Sequence, residues 1–243
     1  MSLFLYGITA QAVELSESMI GVSDAPVRRI ESAHLLMLVS DYDGLEVSPR
    51  RKNLSAFQRV LNEVSASNDM LPAAFGMLAQ DEEEVQSLLD RHAQALVAEL
   101  QRIKGAVEYS LRLRFVGENL FADFIERFAD LRALRDRAFA GGKAPTQDQR
   151  IDLGQGFERL LQTERGNILA TAVKMLTPSM REWMELSFDN ETLLLSLAVL
   201  VDRSKQSALD SAVEQFAKEF NDDWLLELLG PWPPYSFAEL RLS

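Results

Sequence analysis

The chain contains no cysteine, so disulfides and thiolate zinc sites are excluded, which suits a cytoplasmic protein. It has two histidines, His34 and His92. With so few nucleophile and base partners, cysteine and Ser-His-Asp schemes have little to work with. Positive charge is also short. Against 37 acidic residues stand 25 basic ones, and the net charge of −12 repels phosphate backbones and anionic membrane surfaces. Nucleic acid and membrane are therefore not expected as partners. Long apolar runs are missing: Leu193 to Val201, broken by Ser196, is about half of the ~20 residues a spanning helix needs. The opening run Leu3 to Ile8 is too short for a signal-peptide core and has no positive flank. No glycine-rich dinucleotide fingerprint occurs, and Ala140-Gly141-Gly142-Lys143-Ala144-Pro145 is a turn rather than a phosphate loop, since Ala144 stands where a magnesium-holding hydroxyl would be. No cofactor and no metal are expected.

What is present is an ordinary globular composition, 47% hydrophobic and 26% charged over 243 residues, enough for one large domain or two small ones. Leu3 to Ile8 reads as a strand, Gly21 to Pro26 as a loop, and Ala33 to Ser40 as a strand covered on both faces, which puts His34 inside. Arg50-Arg51-Lys52 reads as a solvated loop before an N-cap at Asn53, and Leu54, Phe57, Val60, Leu61 and Val64 mark a helix. In Leu71-Pro72-Ala73-Ala74-Phe75-Gly76 the proline restricts the strand to an edge or a bulge. Asp81-Glu82-Glu83-Glu84 is placed as an N-cap and a dipole-favoured first turn rather than a metal loop, which would need spaced oxygen ligands. The helix then runs to Ile103, with Val85, Leu89, His92, Leu96 and Leu100 on one stripe.

Val107, Tyr109, Leu111, Leu113 and Phe115 alternate with Glu108, Ser110, Arg112 and Arg114, predicting a strand with one buried and one wet face. A stripe from Phe121 to Leu134 predicts a helix. A second helix is expected from about Gln147 to Leu176, with a possible break near Gly154 to Gly156. Trp183 to Phe188 reads as a strand, Asp189-Asn190 as a hairpin turn and Thr192 to Val201 as a buried strand. Ser204 is expected to cap a helix bearing Leu209, Val213, Phe216 and Phe220, and Trp224 to Leu229 closes the sheet before Gly230 and Pro231 stop it. The expected fold is thus α+β with two domains. Residues 1–105 form an N-terminal unit. Residues 106–243 form a ferredoxin-like βαββαβ unit with an enlarged helical first crossover over about 118–180 and a tail at 230–243. Asp222 and Asp223 read as a loop cap, because neighbours in extended chain point apart.

The tail Gly230-Pro231-Trp232-Pro233-Pro234-Tyr235-Ser236-Phe237 puts three prolines and three large aromatics within eight residues, which excludes an ordinary strand or helix and implies extended chain. Two readings stand together. Trp232, Tyr235 and Phe237 fold back as a lid over an open end of the sheet, or a polyproline-like segment is displayed to a partner.

This tail, following an apolar strand, resembles the C-terminal signature of the gas vesicle protein F/L family. Phe4-Leu5-Tyr6-Gly7-Ile8 resembles that family's opening strand, Leu71-Pro72-Ala73-Ala74-Phe75-Gly76 its Leu-Pro-x-x-Phe-Gly element, and Lys104-Gly105-Ala106-Val107-Glu108 the Gly-x-x-Glu strand after the central helix. Gly117-Glu118-Asn119-Leu120-Phe121 departs from the Gly-x-x-Tyr common in relatives. The resemblance implies a non-enzymatic accessory or minor structural protein of the gas vesicle, at the vesicle in the cytoplasm, contacting the shell subunit or other accessory proteins. The residues it singles out are Trp232, Pro233, Pro234, Tyr235 and Phe237, with Leu71, Pro72, Phe75 and Gly76 as a structural element. The alternative from the residues alone is a small-molecule-binding or catalytic ferredoxin-like protein with polar groups such as Glu185, Arg112 or Arg114 converging on its sheet.

Overall fold

The computed structural model describes residues 1–10, 19–32, 34–140 and 144–238. Ala33, residues 141–143, where a turn was expected, and the tail beyond residue 238 lie outside the described residues. The fold is mixed α+β and divides into two compact units, one formed by Met1–Glu108 with the described tail from Gly230, the other by Tyr109–Leu229.

In the first unit β1 (Ser2–Thr9), β2 (Val27–Ser32), β3 (Leu35–Tyr42), β4 (Met70–Pro72) and β5 (Leu78–Ala79) form one sheet of order β2-β3-β1-β4, with β5 also paired to β1. All of its strand pairs are antiparallel. Helices α1 (Arg51–Ser65) and α2 (Glu82–Arg102) bury opposite faces. Leu3 and Leu5 meet Val85, Leu89, Leu96 and Leu100 of α2, whereas Phe4 and Tyr6 meet Phe57, Val60, Leu61 and Val64 of α1. The alternation then changes phase. The register slips between Leu5 and Gly7, so Ile8 joins Leu3 and Leu5 on the α2 side. An inserted residue at a bulge has this effect on facing. A Cβ on Gly7 would lie 2.6 Å from the Leu71 carbonyl oxygen, so glycine is what lets β4 come this close.

Several local expectations are corrected. β2 falls where no strand was expected: it is an edge strand whose Arg28 and Arg29 offset the apolar signal. His34 is exposed, at φ 65° in the turn between β2 and β3, and not inside a strand. Helix α1 begins at Arg51, two residues before the proposed cap, and Asn53 instead donates to the Ser48 carbonyl at 3.0 Å. Asp81 does cap α2, accepting the Glu84 N–H at 2.9 Å, while the Glu84 carboxylate accepts from Gln80 N–H.

The second unit contains most of β6 (Ala106–Phe115), then α3 (Leu120–Arg127), α4 (Ala129–Ala138), α5 (Gln147–Leu176), β7 (Glu182–Glu185), β8 (Leu193–Asp202), α6 (Gln206–Ala217) and β9 (Trp224–Trp232). Its sheet has the order β7-β8-β6-β9. β8 is buried along nine of its ten residues, as an unbroken apolar strand should be. Asn190 closes the β7–β8 hairpin by accepting the N–H groups of Thr192 and Leu193.

The stripe from Phe121 to Leu134 is two helices, because Phe128 leaves the helical region at φ −110°, ψ 112°. Arg132 bonds the Ile125 and Glu126 carbonyls, satisfying acceptors freed at the end of α3. Helix α5 is continuous over 30 residues, and Thr146 and Gln149 form a capping box at its start. A Cβ on Gly156 would meet Leu134 at 2.6 Å, so this glycine permits close α4–α5 packing instead of breaking the helix. Ser204 does not cap α6; Lys205 precedes the helix without a side-chain cap bond. β7 is exposed at all four residues and does not alternate. β9 does not stop at Gly230: it runs on to Trp232, on an edge, where a proline's missing N–H removes no ladder bond.

Candidate functional site: the C-terminal tail and its seat

The tail is not extended throughout. Trp232 ends β9, half-buried; Pro233 and Pro234 are buried; then the chain coils, with Tyr235 N–H donating to the Pro233 carbonyl at 2.7 Å and Ala238 N–H to Pro234 at 2.9 Å. Two prolines fix φ before this turn, so little freedom remains to be lost in forming it.

The turn is seated on the first unit. Tyr235 packs against the cluster of Phe4, Tyr6 and Phe57, and Ala238 against the opposite cluster built on Leu3, Leu5 and α2. Phe237 is 6% exposed, a burial that stabilises the seat by roughly 1.5–3 kcal/mol. Ser236 is held twice by one carboxylate: its N–H donates to Glu108 Oε2 at 2.7 Å and its hydroxyl to Oε1 at 2.6 Å. Arg102, ion-paired with Glu99, donates to the Phe237 carbonyl.

Glu108 is 4% exposed. Burial raises its pKa above the ordinary carboxyl value, while the two Ser236 bonds stabilise the anion and pull it down. Burial, and to a smaller degree the Glu108 charge, pushes the Tyr235 phenol well above the usual tyrosine range, and its hydroxyl has no hydrogen-bond partner among the described residues. The alternation of β6 had placed Glu108 on the wet face. The structure puts it inside, under a segment distant in sequence; the Gly-x-x-Glu spacing was the one available signal.

The Leu71–Gly76 element belongs to the same region. Leu71 and Pro72 are buried in edge strand β4, opposite Ile8 and Gly7. Phe75 meets Phe57 edge-on at 5.5 Å and Phe4 at 5.9 Å, so it and Tyr235 pack on one aromatic cluster. Gly76 adopts φ 90°, a region that L side chains rarely enter, as the chain turns toward β5. Beneath them the Tyr6 hydroxyl accepts from Val22 N–H at 2.7 Å and bonds the Ser40 hydroxyl at 2.9 Å.

The polar groups of the small-molecule alternative are not gathered. Arg114 pairs with Asp189 at 3.4 Å, Glu185 is exposed on β7, and Arg112 is half-buried on β6. A cavity of about 280 Å3 in the second unit is lined instead by Asp123, Arg127, Glu164, Glu219, Phe220 and Trp224 among others. Among the described residues no group of three or more His, Cys, Asp or Glu is placed to hold a metal, and no helix is long and apolar enough to cross a membrane.

Fold and site define an α+β protein whose most elaborate feature is an aromatic, proline-rich tail clamped by a buried carboxylate. Residues 2–239 match the family model described as gas vesicle synthesis protein GvpL/GvpF, and the chain belongs to that family. Among its relatives, gas vesicle protein F of Streptomyces sp. (strain CB03234) is 28% identical, covering 98% of this chain and 100% of the relative. Gas vesicle protein F of Dolichospermum flosaquae is 24% identical, with 98% of each covered. The same fold occurs in the crystal structure of GvpF from Anabaena sp. PCC7120, with a TM-score of 0.84 at 23% identity and 98% of each chain covered. It occurs also in GvpF from Microcystis aeruginosa, with a TM-score of 0.82 at 21% identity, covering 98% of this chain and 99% of that one.

Proposed function

We propose that this chain is a non-enzymatic accessory or minor structural protein of the gas vesicle, acting in the cytoplasm by contact with the shell subunit or with other accessory proteins during shell assembly. The observation that carries this reading is the match of residues 2–239 to one gas vesicle family model, with relatives named gas vesicle protein F aligned over nearly their whole length. The acidic net charge supports it, since −12 helps keep an assembly factor soluble beside an apolar client. The strand order β7-β8-β6-β9, second-third-first-fourth in chain order, supports reading the second unit as ferredoxin-like with a helical first crossover. That fold hosts many functions and decides none.

Within this reading the tail has a structural duty: Pro233, Pro234, Tyr235 and Phe237 close the first unit, and Trp232, half-buried at the end of β9, is the ring offered to a partner. Leu71, Pro72, Phe75 and Gly76 shape the seat. The test is a deletion strain scored for buoyant vesicles, with co-purification of the shell subunit on this chain, and complementation by Trp232→Ala/Tyr235→Ala. Loss of vesicles on deletion with capture of the subunit supports the proposal. Normal vesicles without capture refute it, and a folded double variant that still makes normal vesicles removes the tail from the mechanism.

A further inference from the structure

The two edges of the second sheet are treated differently. β7, at one edge, is only four residues long, and glutamates at both ends flank its exposed Trp183 and Met184. Such short, charged edges resist pairing with other chains. β9, at the other edge, has no strand on its outer side among the described residues. Its stretch Trp224-Leu225-Leu226-Glu227-Leu228-Leu229 carries a single charge, with Leu225 44% and Leu229 41% exposed. Alternation puts these two leucines on one face, flanking Glu227, and Trp224, Leu226 and Leu228 on the other. Over Trp224 to Leu229, ahead of Pro231, a leucine-rich edge with Glu227 as its one charge is a template for an added strand.

The start of that edge is acidic. Trp224 also forms a wall of the 280 Å3 cavity, together with Phe220 and with the carboxylates of Asp123, Glu164 and Glu219. Arg127 answers two of them, Asp123 at 3.3 Å and Glu164 at 2.9 Å. The Glu219 side chain, exposed, has no ion pair or hydrogen bond among the described residues, and Asp222 and Asp223 lie just before the strand. Three carboxylates against one guanidinium, which itself lies 6.0 Å over the Trp224 ring, leave the cavity negative. A second copy of the chain would bring another −12 and another acidic strand end to the same place.

We propose that the outer edge of β9 receives an extended, apolar segment of a partner protein, and that a lysine or arginine at the end of that segment enters the acidic cavity beside Trp224. This names a surface for the protein-contact reading above and rests on it for the class of occupant. The probe is acetyl-Lys-Val-Thr-Val-Thr-Val-Lys-amide, titrated calorimetrically into the full chain, with the same peptide ending in glutamates as control. The lysine peptide binds and the glutamate peptide binds at least about tenfold more weakly, as charge complementarity requires. Glu219→Gln weakens the lysine peptide about two- to fivefold, the scale of an exposed ion pair, whereas Glu214→Gln, the same charge change on an exposed position of α6, leaves it unchanged. Leu225→Lys/Leu229→Lys abolishes binding; should that variant fail to fold, Glu219→Gln alone carries the test. Equal binding of both peptides, no binding at millimolar concentration, equal loss in Glu214→Gln, or a dimer in light scattering that Leu225→Lys disperses would each overturn the proposal. A chain that binds the peptide but is dispensable for vesicles refutes the assembly reading and leaves the edge site standing; a chain needed for vesicles that ignores the peptide does the reverse.

Discussion

Removing the Glu108 carboxylate tests the tail's seat most directly. Glu108→Ala leaves the Ser236 N–H without its acceptor at a site the residue itself buries to 4% exposure, and the Ser236 hydroxyl loses a 2.6 Å bond. An orphaned donor costs about 1–3 kcal/mol and a hydroxyl that can turn toward water costs less, so the loss is about 2–4 kcal/mol. For a chain of this size that lowers the melting temperature by roughly 4–15 °C. Glu108→Gln behaves differently: its carbonyl accepts the Ser236 N–H, its amide donates to the Ser236 hydroxyl, and the buried charge is gone, so stability at neutral pH stays within about 1 kcal/mol. The pH dependence has a definite sign. Burial raises the Glu108 pKa above its ordinary 4.5, so the folded chain holds this proton more tightly than the unfolded chain. The stability it contributes is present below 4.5 and is lost as pH rises through the folded value. Relative to wild type, Glu108→Gln therefore gains on going from pH 4 to pH 7. Urea melts of the three proteins across that range measure it. Wild-type stability in Glu108→Ala, or a loss in Glu108→Gln as large as in Glu108→Ala, would refute the clamp.

Three further substitutions probe the seat by thermal or urea unfolding. Gly7→Ala forces a Cβ to within 2.6 Å of the Leu71 carbonyl oxygen and should cost about 1–3 kcal/mol, as overpacking does; an unchanged melt would mean that β4 can shift freely. Gly76→Ala meets open space but holds φ 90°, so its cost is backbone strain of about 1–2 kcal/mol, with the packing of Phe75 otherwise retained. Tyr6→Phe removes the acceptor of Val22 N–H and the partner of Ser40, and should lower stability by about 1–3 kcal/mol without changing the sheet's circular dichroism.

What could be read from the chain alone was whatever is decided by neighbours in sequence. The α2 stripe and its Asp81 cap, the period of two in β6, the apolar run of β8 and the Asn190 turn each depend on residues within a few positions. The Leu-Pro-x-x-Phe-Gly element, the Gly-x-x-Glu spacing and the Pro-aromatic tail gave the family, because each is a local string. Tertiary structure alone decided the rest. β2 is a strand because β3 pairs with it, although Arg28 and Arg29 interrupt its apolar pattern. Phe128 breaks a helix that its stripe would continue, with Arg132 supplying donors to the carbonyls left free. The bulge at Leu5 and Gly7 exchanges the faces of β1, which no count of alternation shows in advance. Glu108 is buried because Ser236, 128 residues later, lies over it. A carboxylate on an alternating strand is written in the same letters whether water or a returning chain covers it, and only the folded path of the tail determines which.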